Sequence, residues 1–154
     1  MEIIKVGDKA PLFALIDQNG NNIKLSQFIG KKVLLSFHPL AWTSVCSIQM
    51  QSLEKNYDRF NKLNTVPLGI SIDSQPSKEA WSKNLRINRT RLLADFWAHG
   101  DLAKKLGIFD EKTGVSKRAN ILIDETGIVK WIKVYPNKEI PDTEEIFNFL
   151  SGDN

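Results

Sequence analysis

The chain has 154 residues, 42% of them hydrophobic and 25% charged, which is typical of one globular domain that buries a core without disulfide bonds. Its net charge of +3 comes from interleaved acids and bases, which favours a solvated surface over a nucleic-acid interface. No apolar run approaches the ~18 residues of a membrane helix, and the first residues do not resemble a signal peptide. With one cysteine and no possible internal disulfide, we expect a single cytoplasmic domain over residues 1–154, with neither nucleic-acid nor membrane partners.

In chain order, the first predicted element is a small hairpin around Asn19-Gly20. Residues 33–37 (VLLSF) form an apolar run bounded by Gly30-Lys31-Lys32 and Pro39, which predicts a buried strand. From Ser44 onward, apolar residues recur every three or four positions, which predicts one face of a helix. The members of that face are Cys46, Met50, Leu53, Tyr57, Phe60 and Leu63.

The second half of the chain continues the alternation of strands and helices. Residues 66–72 (VPLGISI) predict a second buried strand, and residues 77–85 a helix with Ala80, Trp81 and Leu85 on its inward side. Residues 101–106 predict a short helix. Residues 120–123 and 128–134 predict two strands joined by a turn. A last helix, capped by Asp142 or Thr143, is predicted through Leu150. This order predicts an α/β fold with a central mixed sheet and helices on both faces.

The only cysteine, Cys46, falls in the first turn of the helix that follows the first buried strand. Unpaired backbone N–H groups and the helix dipole favour thiolate over thiol at that position, and the thiolate is the reactive form. A free cysteine on an apolar helix face is also often an inert, buried hydrophobe. The position in the helix alone leaves both interpretations open.

The residues around Cys46 add a motif. Residues 39–46 (PLAWTSVC) have the pattern P-x-x-x-T-x-x-C, which resembles the active-site motif of the peroxiredoxins. The resemblance covers nearly the whole chain and includes residues 7–13 (GDKAPLF), Trp81, and Arg118 at the entrance to a strand that ends at Asp124. Residues 94–100 and 106–113 look like the one-Cys group typified by alkyl hydroperoxide reductase E. The resemblance implies a thioredoxin-like fold with an N-terminal hairpin, and a homodimer.

The resemblance also implies a role for each candidate residue. Cys46 is the nucleophile, and the Thr43 hydroxyl bonds the sulfur and the incoming peroxide. Arg118 stabilises the thiolate and the developing oxyanion. Pro39 lacks an N–H, so it can wall the pocket without a competing donor. Taken singly, each has another explanation: Thr43 as a helix cap, Pro39 as the end of a strand, and Arg118 as a surface charge.

The predicted function is that of a thiol-dependent peroxidase for hydrogen peroxide and organic hydroperoxides, which needs no metal or other cofactor. Because the sequence holds no second cysteine, the sulfenic acid on Cys46 has to be reduced by an external thiol. That thiol is a low-molecular-weight thiol, a glutaredoxin-like protein or a thioredoxin. The alternative is a sensor that relays peroxide oxidation to a partner protein. The chain has no C-x-x-C motif, which argues against a disulfide reductase. A cysteine hydrolase would need a histidine base, and neither His38 nor His99 has a supporting motif.

Two further positions carry expectations. Many peroxiredoxins have a glutamate where this chain has Gln49, and the neutral side chain either favours ionisation of Cys46 or loosens the arginine network. Trp42, a large ring in the loop before Cys46, is expected at a subunit interface.

Overall fold

A computed structural model of the chain describes residues 2–152. The strands are β1 (Ala14–Ile16), β2 (Asn22–Lys24), β3 (Lys32–Phe37), β4 (Thr65–Ser71), β5 (Arg91–Ala94), β6 (Phe109–Asp110), β7 (Val115–Ser116), β8 (Arg118–Ile123) and β9 (Val129–Tyr135). The helices are α1 (Ser44–Lys55), α2 (Tyr57–Lys62), α3 (Gln75–Leu85), α4 (Asp101–Leu106) and α5 (Thr143–Gly152). No helix in residues 2–152 combines the length and apolar character needed to cross a membrane.

Seven strands form one mixed sheet in the order β2-β1-β5-β4-β3-β8-β9. Strands β3, β4 and β5 are parallel, whereas β8 runs antiparallel to β3, and β9 antiparallel to β8. The predicted mixed sheet is therefore confirmed, as is the N-terminal hairpin, in which β1 pairs with β2. Strand β3 lies in the interior of the sheet, and side chains on both of its faces pack in the core, which explains why its sequence is an uninterrupted apolar run.

Alternation along β3 divides the core into two layers. Val33, Leu35 and Phe37 pack on the face that α4 covers. Leu34 packs on the other face, where Met50 of α1, Trp81 of α3 and residues of α2 and α5 complete the core. Helices therefore cover both faces, as predicted. The even-numbered residues of β3 and of β8 share the α1 face, because the register pairs Leu34 with Leu122 and Ser36 with Asn120.

Several details of the predicted elements were wrong. The helix that begins at Ser44 breaks at Asn56, whose side chain donates to the Ser52 carbonyl oxygen at 2.8 Å and competes with the helical backbone pattern. Helix α3 begins at Gln75, two residues earlier than predicted, with Ser74 as its N-cap. Its Ala80 is exposed, and Lys78 is buried instead. The sequence prediction missed strand β5 entirely.

Candidate active site

Cys46 lies at the end of the sheet where β3 gives way to α1. Strand β3 ends at Phe37, a short loop follows, and α1 begins at Ser44 with Thr43 as its N-cap residue in an extended conformation. Cys46 is therefore the third residue of the helix, and it is only 1% exposed. The N–H of Ser47 makes the first helical bond, to the Thr43 carbonyl at 2.9 Å. The sulfur thus sits in the turn where backbone N–H groups and the helix dipole favour negative charge.

Strand β8 brings Arg118 to this sulfur. The register pairs Phe37 with Ala119, so Arg118, the first residue of β8, lies where β3 ends, and it faces α1. Its Nη1 atom is 3.3 Å from the Cys46 Sγ, and the side chain is buried. This burial is incompatible with the explanation of Arg118 as a surface charge.

Three further bonds fix the guanidinium of Arg118. Nη1 donates to Gln49 Oε1 at 2.7 Å, while Nε and Nη2 donate to the carbonyl oxygen of Asn137 at 3.2 and 2.9 Å. Gln49 is itself held, because its Nε2 donates to Ser36 Oγ at 2.8 Å and to the Phe37 carbonyl at 3.2 Å. The arginine network therefore remains connected through the neutral Gln49 side chain. A guanidinium held in this way needs little rearrangement to stabilise an anion.

The structure does not bond Thr43 to the sulfur. Its Oγ1 donates to the Leu40 carbonyl at 3.0 Å, and within residues 2–152 no hydrogen bond joins it to Cys46. Thr43 occupies the N-cap position of α1 by its backbone conformation, but its side chain makes no capping hydrogen bond. The helix-cap explanation therefore does not account for its hydroxyl group. Pro39 lies two residues after the end of β3 and is half-buried, a position compatible both with a pocket wall and with simple termination of the strand.

Other contacts tie the loop before Cys46 to the rest of the fold. The Ala41 N–H donates to Asp73 Oδ2 at 2.8 Å, and the Trp42 Nε1 donates to Ser77 Oγ at 3.1 Å. Trp42 has a φ of 73°, a left-handed conformation that costs a residue with a side chain about 1–2 kcal/mol. Trp42 is 53% exposed, so it is available to the subunit contact that the sequence predicts there.

A buried basic pair behind the site went unnoticed in the sequence. Lys78 of α3 and His38, just after β3, are both fully buried, with Lys78 Nζ 2.9 Å from His38 Nε2. Burial lowers the pKa of Lys78 to about 7, an effect opposed by the negative charges of Asp73 and Cys46. Burial, Lys78 and Arg118 together hold the pKa of His38 well below its ordinary value.

One signal in the sequence could have found Lys78. It lies three residues before Trp81 and four before Ser82, both of which are buried on the same helix face. Lysine is so rarely buried that composition alone argued for a surface position. The other histidine, His99, is exposed, and its Nε2 lies 2.8 Å from the Gly114 carbonyl, in the β6–β7 connection.

The comparisons with known proteins agree with this geometry. The sequence pattern of the AhpC/TSA family matches residues 6–132, which is most of the chain. The chain belongs to this family. The resemblance to peroxiredoxins is thereby confirmed, and so is the thioredoxin-like fold that it implied.

Relatives of this peroxiredoxin span nearly its full length. It is 32% identical over 141 residues to alkyl hydroperoxide reductase E of Mycobacterium tuberculosis, covering 91% of this chain and 92% of that protein. The reduced 2-Cys peroxiredoxin of Plasmodium vivax matches with a TM-score of 0.85 and 32% identity, over 95% of this chain and 80% of that one. Mycobacterium tuberculosis AhpC has the same fold, with a TM-score of 0.89 at 20% identity and 98% coverage of both chains. This peroxiredoxin is a thiol-dependent peroxidase.

Proposed function

We propose that this peroxiredoxin reduces hydrogen peroxide and organic hydroperoxides through Cys46, by a one-Cys mechanism in which an external thiol completes the cycle. The observation that carries the proposal is the buried Arg118 guanidinium, 3.3 Å from the Cys46 sulfur in the first turn of α1. A cation and a helix N-terminus acting on one sulfur both favour the nucleophilic thiolate.

The first half-reaction is a displacement on the O–O bond. The Cys46 thiolate attacks the terminal oxygen of ROOH, an S–O bond forms as the O–O bond breaks, and sulfur is oxidised by two electrons while the peroxide is reduced. The products are Cys46–SOH and RO⁻, which takes one proton to leave as ROH. Arg118 stabilises negative charge as it moves from sulfur to the departing oxygen.

Thr43 and Pro39 are assigned supporting roles in this step. The Thr43 hydroxyl donates its hydrogen bond to the Leu40 carbonyl, so the oxygen can act as an acceptor for the O–H of the incoming peroxide. That bond would orient the peroxide for attack. Pro39, half-buried beside the buried end of β3, offers no N–H to compete with the donors aimed at the sulfur.

The second half-reaction depends on a thiol outside the sequence. The 154 residues of the sequence hold one cysteine, so they contain no second thiol that could resolve Cys46–SOH within the chain. For the same reason, a second copy of the chain offers no resolving thiol other than its own Cys46. An external thiol condenses with Cys46–SOH to give a mixed disulfide and water, and a second thiol then releases the Cys46 thiolate. We propose a low-molecular-weight thiol, a glutaredoxin-like protein or a thioredoxin as this reductant. Dependence on such a thiol pool supports a cytoplasmic location.

We also propose a homodimer with the Trp42 loop near the contact. Exposed aromatic and apolar side chains flank this end of the molecule, and such side chains are enriched at protein interfaces. They are Leu40, Trp42, Phe96 and Trp97. Sedimentation equilibrium at micromolar concentration should give twice the chain mass, and a monomer at that concentration would contradict the proposal.

Steady-state peroxide consumption with a panel of thiols tests the proposed function. Purified wild-type protein should turn over rapidly with at least one class of reductant, and Cys46→Ser should consume no peroxide. The near-complete burial of Cys46 is the observation that favours a slow-turnover sensor instead. Single-turnover oxidation of Cys46 with no reductant in the panel would support that alternative.

A further inference from the structure

Lys78 is a fully buried basic residue that the peroxidase mechanism leaves unused. It projects from α3 into the core beneath the site, with 0% exposure. Its Nζ lies 2.9 Å from His38 Nε2 and 5.6 Å from the centre of the Trp81 ring. The lowered pKa of His38 keeps its imidazole neutral, so Nε2 accepts a hydrogen bond from the Lys78 ammonium. A buried ammonium is costly and has to be compensated by nearby negative charge.

The titratable and charged groups around the Lys78–His38 pair come from four parts of the fold. His38 follows β3, Asp73 follows β4, Cys46 belongs to α1, and Arg118 begins β8. Asp73 is already engaged, since its Oδ2 accepts from the Ala41 N–H at 2.8 Å and from Ser71 Oγ at 2.5 Å. Trp81 connects Lys78 to the first turn of α1: its ring centre lies 5.6 Å from Lys78 Nζ, and its Nε1 donates at 3.3 Å to the Oγ of Ser47, the residue after Cys46. The negative charges of Asp73 and Cys46 both favour the protonated form of Lys78. Oxidation to a neutral sulfenic acid removes the charge of Cys46, while that of Asp73 stays.

We propose that Lys78, held by His38, is a second buried counter-charge for the Cys46 thiolate, and that the proton on Lys78 is coupled to the charge on Cys46. The inference rests on the proposed function only in taking Cys46 as the reactive thiol. Lys78 is a positioning residue, since it acts on the sulfur through space. When Cys46 is a thiolate, the ammonium form of Lys78 is favoured. When Cys46 becomes a neutral sulfenic acid, Lys78 loses that partner and releases its proton more readily.

This coupling has a fixed sign in both directions. Loss of the Lys78 charge raises the pH at which Cys46 ionises, and loss of the Cys46 charge lowers the pH at which Lys78 releases its proton. Thermodynamic linkage requires the two shifts to be equal in size. Because burial already brings the pKa of Lys78 to about 7, its charge changes near neutral pH, where an ordinary lysine would stay protonated.

The first test titrates the thiolate by its ultraviolet absorbance in wild-type, Lys78→Met and Lys83→Met proteins. Lys83 is the matched control, because it is exposed on the same helix and pairs with Glu79. Lys78→Met should move the midpoint of Cys46 ionisation to higher pH by roughly one unit. At a pH below the midpoints of both the wild type and the variant, iodoacetamide should alkylate Cys46 about tenfold more slowly in Lys78→Met than in the wild type. Lys83→Met should match the wild type. Equal titrations of Lys78→Met and wild type would overturn the proposal.

The second test reads the coupling from Lys78 and needs no change at that position. The ¹³Cε resonance of Lys78, assigned by its disappearance in Lys78→Met or from its contacts with Trp81, is titrated in reduced wild type and in Cys46→Ser. Its midpoint should fall in Cys46→Ser by the amount seen in the first test. An unchanged midpoint would overturn the proposal even if Lys78→Met fails to fold. Neither test uses peroxide turnover, so coupled titrations in a protein that consumes no peroxide would refute the peroxidase and leave this inference standing.

Discussion

The Nη1 atom of Arg118 lies 3.3 Å from the sulfur of Cys46, although 72 residues separate them in the chain. Two independent features produce this contact: the antiparallel register of β3 with β8, and the start of α1 shortly after β3. The same guanidinium is anchored by Gln49 and by the Asn137 carbonyl, so it is fixed before any peroxide arrives. The predictions below follow from this arrangement.

Arg118→Ala should slow the oxidation of Cys46 by a factor of roughly a hundred or more, because it removes a fixed donor to the developing oxyanion. Stopped-flow tryptophan fluorescence measures the rate, and circular dichroism shows whether the variant is folded. Lys117→Ala is the matched control: Lys117 is the exposed neighbour, and its loss should leave the rate unchanged. An Arg118→Ala protein as fast as the wild type would remove Arg118 from the mechanism.

Thr43→Val should also slow oxidation about a hundredfold, because valine has a similar shape but cannot accept the O–H of the peroxide. Thr43→Ser keeps the hydroxyl and should retain most of the rate. Ser44→Ala, at the exposed next residue, serves as the control for disturbance of the helix start. If Thr43→Val and Thr43→Ser react equally fast, the hydroxyl has no part in binding the peroxide.

Gln49→Glu should reduce the reactivity of Cys46 near neutral pH. The new carboxylate would compete with the thiolate for Arg118, and it could no longer donate to the Phe37 carbonyl as the Gln49 amide does at 3.2 Å. The thiolate absorbance should then appear at higher pH, and oxidation at pH 7 should slow. Faster oxidation in Gln49→Glu would show that the carboxylate strengthens the arginine network more than it repels the thiolate.

Much of this site followed from the sequence. The uninterrupted apolar runs of β3 and β4 predicted strands at the centre of the sheet, and the spacing from Ser44 predicted the helix that carries Cys46. Strand β5 was missed because it has four residues and begins with the exposed Arg91, so it shows neither a long apolar run nor a clear alternation. Its identity as a strand comes from pairing with β4, a contact that no local pattern encodes.

The buried polar groups were the hardest to predict. The partners of Lys78 and Gln49 come from strands or loops distant in sequence, and only the folded register brings His38 and Arg118 to them. From the local sequence pattern alone, Lys78 and Gln49 are indistinguishable from ordinary polar residues on a helix. The same holds for Thr43, whose spacing from Cys46 suggested a hydrogen bond to the sulfur, whereas its hydroxyl donates to the Leu40 carbonyl.

Glu54→Ala should lower the free energy of unfolding by about 1–3 kcal/mol at pH 7. The Glu54 carboxylate, on α1, accepts the backbone N–H groups of Asn88, Arg89 and Thr90 at 2.8–3.2 Å and so holds the segment that leads into β5. Partial burial raises the pKa of this carboxyl, but these bonds outweigh it and bring the pKa below its ordinary 4.5. The stabilisation is therefore present above pH 4.5 and is lost as the pH falls through the lowered pKa.

Urea unfolding at pH 7 and at low pH measures this difference. Glu79→Ala is the matched control, because Glu79 forms an exposed ion pair with Lys83 at 3.5 Å, which contributes about 0.5 kcal/mol or less. If the difference in free energy of unfolding between Glu54→Ala and the wild type stays constant down to acidic pH, the charge of Glu54 is not what holds this segment.

The measurement closest to the central claim is the intact mass of the protein after one equivalent of peroxide, without reductant. With Cys46 as the only thiol in the sequence, the account predicts one added oxygen, a dimedone adduct at Cys46, and a second added oxygen only in excess peroxide. Added low-molecular-weight thiol should convert the first product to a mixed disulfide at Cys46. A chain dimer linked through Cys46 as the main product, or a dimedone adduct elsewhere, would contradict the one-Cys mechanism.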